Sequence, residues 1–125
     1  MTRQMSFSKQ ENKVLPGFRS KLNNAESTED VKKFFTYTVM ELLDDIFDGE
    51  VNVNYEDILL KPEGKSCYLI KDNLLEKEGF QTIWLNSDIK RILTTLAEAS
   101  INRYRHLETN PEKTKSKIKK GTGQR

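Results

Sequence analysis

Two short stretches of the chain hold the side chains best suited to chemistry. The first is residues 44–57, DDIFDGEVNVNYED, which carries six acids and a glycine directly after an aspartate. A loop that wraps a calcium ion needs oxygen ligands at its first, third, fifth and twelfth positions, a glycine at the sixth and an apolar residue at the eighth. That spacing folds six or seven oxygens around one cation. Counting from Asp44 puts Gly49 sixth and Val51 eighth, but Ile46 third and Tyr55 twelfth. Counting from Ile46 puts Val53 eighth and Asp57 twelfth, but leaves an apolar first position and Val51 in the glycine place. Neither register supplies the ligands, so the stretch reads as a helix end running into a strand. The second stretch is Asp57 followed by Glu63, Gly64 and Lys65. Two carboxylates can hold a magnesium ion while a lysine steadies the phosphate under attack.

The spacing of Asp57, Glu63 and Lys65 resembles the separated Asp and Glu-x-Lys of magnesium-dependent nucleases, and that resemblance implies a metal-dependent hydrolase. Here the Glu-x-Lys falls on an expected turn and not on a strand. The likeness of residues 44–57 to calcium-sensor proteins is confined to those few residues. His106 is the single histidine, and beside Arg103 and Arg105 it reads as a cation complementing the negative end of a helix. Cys67, the single cysteine, lies in the apolar run SCYLI and reads as a small buried hydrophobe, and alone it can form no intrachain disulfide. No glycine-rich phosphate loop or zinc-protease motif occurs, and no cofactor is expected.

Charge is more telling than any motif. Residues 113–125, KTKSKIKKGTGQR, carry Lys113, Lys115, Lys117, Lys119, Lys120 and Arg125 with no acid, a net of +6. Residues 1–112 hold 15 basic and 19 acidic side chains, a net of −4. Between Lys33 and Lys61 there is no basic residue, while Glu41, Asp44, Asp45, Asp48, Glu50, Glu56 and Asp57 are all acids. Blocks of like charge commonly stay disordered and serve as interaction tails. The lysines of the tail form a surface for polyanions, nonspecific because no aromatics are interleaved for base stacking.

The elements that must position these groups follow from periodicity. Val31, Phe34, Phe35, Thr38, Val39, Leu42, Leu43, Ile46 and Phe47 repeat at helical spacing behind Ser27, which with Asp30 has the spacing of a capping box. Gly49 is placed to stop this helix. A second helix begins at Ser87 as N-cap, with a stripe of Ile89, Ile92, Leu93, Leu96, Ala97, Ser100, Tyr104 and Leu107 that ends at Asn110-Pro111. VNVNY alternates at period two, and DILL and SCYLI flank KPEGK as an antiparallel hairpin would. FQTIWL offers a third short strand or an irregular segment with Trp84 filling core volume. Pro16 opens a short helix carrying Phe18 and Leu22, while Met1 to Gln10 gives no periodic signal.

The expected architecture is α+β: two long amphipathic helices on a small antiparallel β-meander. A partly ordered N-terminal segment spans 1–25, a single domain 26–109 and a disordered basic tail 110–125. The expected function is that of a soluble, cytoplasmic, nonenzymatic interaction or adaptor domain. It meets another protein through Glu41, Asp44, Asp45 and Asp48, and no membrane. Nucleic-acid association through the tail lysines is the alternative, followed by the hydrolase built on Asp57, Glu63 and Lys65.

Overall fold

The computed structural model describes residues 5–64 and 67–109. Helices α1 (Ser8–Asn23) and α2 (Thr28–Phe47) lead into a hairpin of β1 (Ile58–Leu60) and β2 (Tyr68–Ile70). Then come α3 (Asp72–Leu75), α4 (Glu78–Asn86) and α5 (Ile89–Thr109). The fold is α+β, with the sheet reduced to one antiparallel pair in the register Ile58 to Ile70, Leu59 to Leu69 and Leu60 to Tyr68. The expected disordered tail lies outside the described residues.

The two long helices form as their patterns dictate. Ser27 Oγ accepts from the Asp30 amide at 3.1 Å, and the Asp30 carboxylate accepts from the Glu26 amide at 3.2 Å, so the first turn of α2 is capped from both directions. Val31, Phe35, Val39, Leu42 and Leu43 are fully buried against Ile92, Leu93, Leu96 and Ala97 of α5 and the inner face of the hairpin. Buried Thr36 donates its hydroxyl to the Ile58 carbonyl at 3.0 Å, which pins β1 to α2. Ser87 Oγ accepts from the Ile89 amide at the head of α5 and donates to the Ile83 carbonyl, joining α4 to α5.

Four local expectations are corrected. The first concerns α1, which starts at Ser8 and runs through Pro16, so proline lies inside the helix and not at its head. Its buried stripe of Glu11, Val14, Phe18 and Leu22 joins the same core as Phe35, and the packed unit therefore reaches well before residue 26. Glu11 is held by Arg91 of α5 at 3.1 Å, and Asp88 accepts from the Phe7 amide at 2.9 Å. The second concerns FQTIWL, which lies in α4: Phe80 stacks between Phe47 and Trp84 at centroid distances of 5.7 and 5.6 Å, and Trp84 is half-buried. That contact with α2 outweighs the β-preference of Thr, Ile and Trp. In VNVNY, Val51 and Val53 are half-buried and Asn52 exposed, yet the segment pairs with no strand among the described residues. Cys67, finally, is half-buried and left-handed at φ 71°, with its carbonyl bound to the Lys61 amide.

Candidate functional site

The C-terminal half of α2 and the segment that follows it form a groove. Helix α2 ends with Asp48 in the left-handed region at φ 55° and Gly49 at φ 77°, and the Gly49 amide returns to the Asp44 carbonyl at 3.1 Å. This reversal sends residues 50–54 back along the helix. The Lys77 ammonium holds them there by donating to the Asn52 carbonyl at 2.6 Å. Between the two walls lies a cavity of about 570 Å³ lined by apolar Met40, Val51 and Val53 and by the carboxylates of Glu41, Asp44 and Glu50. Both walls continue into aromatics. Tyr37, one turn before Glu41, and Tyr55, two residues after Val53, meet at 5.1 Å with 50% and 38% of their surfaces exposed. Burial, then Tyr37 and then Glu29 raise the Tyr55 hydroxyl above its ordinary value of 10.0, so it stays a neutral donor at physiological pH.

The four acids expected to act together are all exposed, but they divide. Glu41 and Asp44 face the groove, Asp45 lies 3.7 Å from Lys13 of α1, and Asp48 serves as the helix C-cap. No cation occupies the last turn of α2, so Asp44, Asp45 and Asp48 oppose its dipole. Asparagine tolerates the left-handed cap and carries no charge. Asp48→Asn is therefore expected to raise stability by about 0.3–1 kcal/mol, read as a higher urea midpoint with unchanged slope. A lower midpoint would show that the carboxylate holds the turn together.

Asp57 and Glu63 of the nuclease-like pattern do not line this groove. Asp57 is buried, its Oδ2 accepting from the Asn54 amide at 3.0 Å and its Oδ1 from the Asn73 side-chain amide at 2.8 Å. Both oxygens thus serve the single 3₁₀ turn at Tyr55–Asp57 and tie it to α3. Glu63 is exposed on the connection between the strands, and Lys65 lies outside the described residues. Among the described residues no group of three or more His, Cys, Asp or Glu side chains could hold a metal ion. No helix there is long and apolar enough to cross a membrane.

The lysines 113, 115, 117, 119 and 120 also lie outside the described residues, but the structure fixes where their segment departs. Arg103 of α5 reaches the carbonyls of Asn23 and Ala25, and the Lys32 ammonium sits 5.7 Å from the Tyr104 ring centre. Helix α5 therefore ends beside the start of α2, at the end of the molecule opposite to Asp44 and Asp48. Twelve to sixteen helical residues separate those acids from Lys32, a distance of about 18–24 Å. The acidic groove and the end of α5 lie at opposite poles.

Together these features define a mostly helical α+β domain that carries an acid-rimmed, apolar-floored groove. Compared with protein-family models, curated proteins and solved structures, the chain has no match.

Proposed function

We propose that the protein is a nonenzymatic interaction domain whose groove between α2 and residues 50–54 receives a basic segment of a partner protein. The supporting observation is the coincidence of three chemistries in one place. Met40, Val51 and Val53 offer an apolar floor, Glu41, Asp44 and Glu50 a negative rim, and the Tyr37–Tyr55 pair an exposed aromatic shelf. Partner segments with alternating cationic and apolar side chains satisfy the first two, and lysine or arginine over a tyrosine face is attracted by the ring quadrupole. The placement of Asp44 and Asp48 against the helix dipole fits this reading, because local rules are often broken where a surface serves a function.

An eight-residue peptide of alternating lysine and leucine tests it. Titrated into the labelled protein, the peptide is expected to move the amides of Glu41, Asp44 and 49–53, and the Glu41→Gln, Asp44→Asn double variant to weaken binding about tenfold at low salt. That factor corresponds to about 0.7 kcal/mol for each rim charge, within the range of exposed pairs. Uniform small shifts across all acidic residues, unchanged in the variant, would reduce the groove to ordinary surface charge.

A further inference from the structure

Residues 51–55, VNVNY, alternate at the period of a strand, yet among the described residues no strand lies beside them. Resting on the reading of the groove as a receptor for a basic segment, we propose that this segment binds as an added β-strand whose backbone pairs with Val51 and Val53.

The hydrogen bonds of this wall are confined to one edge. In an extended chain successive residues direct their N–H and C=O groups to opposite edges, just as their side chains alternate between faces. Residues 50, 52 and 54 are all bound to the protein's own fold. The Glu50 amide donates to the Phe47 carbonyl at 3.0 Å, and the Asn52 carbonyl accepts from Lys77 Nζ at 2.6 Å. The Asn54 amide donates to the Asp57 carboxylate at 3.0 Å and its carbonyl accepts from the Asp57 amide at 2.9 Å. Asn54 is itself extended, at φ −99° and ψ 153°. The other edge differs: the N–H and C=O groups of Val51 and Val53 have no hydrogen-bond partner among the described residues. Two donors and two acceptors thus stand at strand spacing on the edge that Lys77 does not hold. Such a row of unpaired backbone groups is a template for another strand.

Charge selects the occupant. Glu41, Asp44 and Glu50 border the same groove that Val51 and Val53 line, and no basic residue lies between Lys33 and Lys61. A strand that carries lysine or arginine beside its apolar residues meets opposite charge there, while backbone pairing supplies its alignment. Pairing the same edge of two copies of this chain instead brings two acid rims together, and like charges across a strand pair are destabilising. The wall is also already in place. Met40, Val51 and Val53 pack against the core and Lys77 anchors Asn52, so little ordering of the protein is left to oppose the pairing.

The experiment follows amide hydrogen exchange in the labelled full chain as the alternating lysine and leucine peptide is added. In the free protein the Val51 and Val53 amides are expected to exchange fast. At saturating peptide both are expected to slow about tenfold or more, while the Asn52 amide, on the opposite edge, does not. Two further peptides carry N-methyl groups on the backbone nitrogens of all the lysines or of all the leucines. A strand donates from one edge only, and a slip by one residue turns its leucines to the wrong face, so one of the two is expected to bind about tenfold more weakly than the other. Shifts at Glu41, Asp44 and 49–53 without slowed exchange at Val51 and Val53, or equal affinity of the two methylated peptides, overturn strand addition and leave the groove as a side-chain receptor. No shifts at those residues overturn the groove reading and strand addition with it. Slow exchange at Val51 and Val53 that grows with protein concentration in the absence of peptide gives the edge to a second copy and also overturns the proposal.

Discussion

Truncation of Phe35, Leu42 or Leu93 to alanine is expected to cost about 2–5 kcal/mol each, with Phe35 at the upper end. All three are fully buried, so each truncation removes contacts on every side and leaves a cavity that close-packed neighbours refill only in part. Phe35 also reaches two layers at once, packing within α2's core face and lying 6.4 Å from the Tyr68 ring of the hairpin. A domain of this size has a total stability of about 5–15 kcal/mol, so one such change removes a large share of it. Urea unfolding of the three variants provides the measurement. Wild-type midpoints in two of them would mean that the faces assigned to α2 and α5 are wrong.

Those faces were legible in the sequence because α2 and α5 are long enough for their stripes to repeat over five turns, with Ser27 and Ser87 marking their starts. The hairpin was legible from its two short β-rich runs around Pro62 and Gly64. Other elements obey contacts that no local pattern contains. In α1 Pro16 reads as the head of a short helix, and Glu11 occupies a stripe position where an apolar residue is expected. The helix persists because Phe18 and Leu22 enter the common core and Arg91, eighty residues away, neutralises Glu11. In α4 the composition of Thr, Ile and Trp favours a strand, but stacking of Phe80 between Phe47 and Trp84 needs Phe80 and Trp84 one turn apart on a helix.

The candidate sites divide in the same way. The surplus of acids between Lys33 and Lys61 was visible at once, since charge is counted without knowing the fold. That Glu41 and Asp44 border a groove while Asp45 turns toward Lys13 was not visible, because it depends on the left-handed reversal at Asp48 and Gly49. The cavity between α1 and α5 that Arg19 and Arg103 both line was still less accessible to sequence reading. Arg19 and Arg103 lie far apart in the chain, and each alone looks like a cation complementing the C-terminal end of its own helix. Arg103 in fact serves the turn after α1, a different helix from the one that carries it.

Asp57 is where a motif and a structural role make opposite predictions. Side chains kept for a ligand commonly cost the fold stability, so removing a metal-holding carboxylate leaves stability unchanged or raises it. A buried carboxylate that satisfies part-buried donors does the reverse. Asp57→Ala leaves the Asn54 amide and the Asn73 side-chain amide without their acceptor and frees the turn that delivers β1 to α2. A fully buried unsatisfied donor costs about 1–3 kcal/mol, and water reaches both of these, so the expected loss is about 1–2 kcal/mol. Asp57→Asn retains one oxygen in the same place and is expected to lose about half as much, because one of the two donors keeps its acceptor. The same denaturation measurement, made without added metal and again with magnesium, reads both variants. A loss that follows this order and ignores magnesium fixes Asp57 as the buried anchor of the 3₁₀ turn. An alanine variant as stable as the parent, with magnesium stabilising only the parent, would instead restore Asp57 and Glu63 as a metal pair and with it the hydrolase reading.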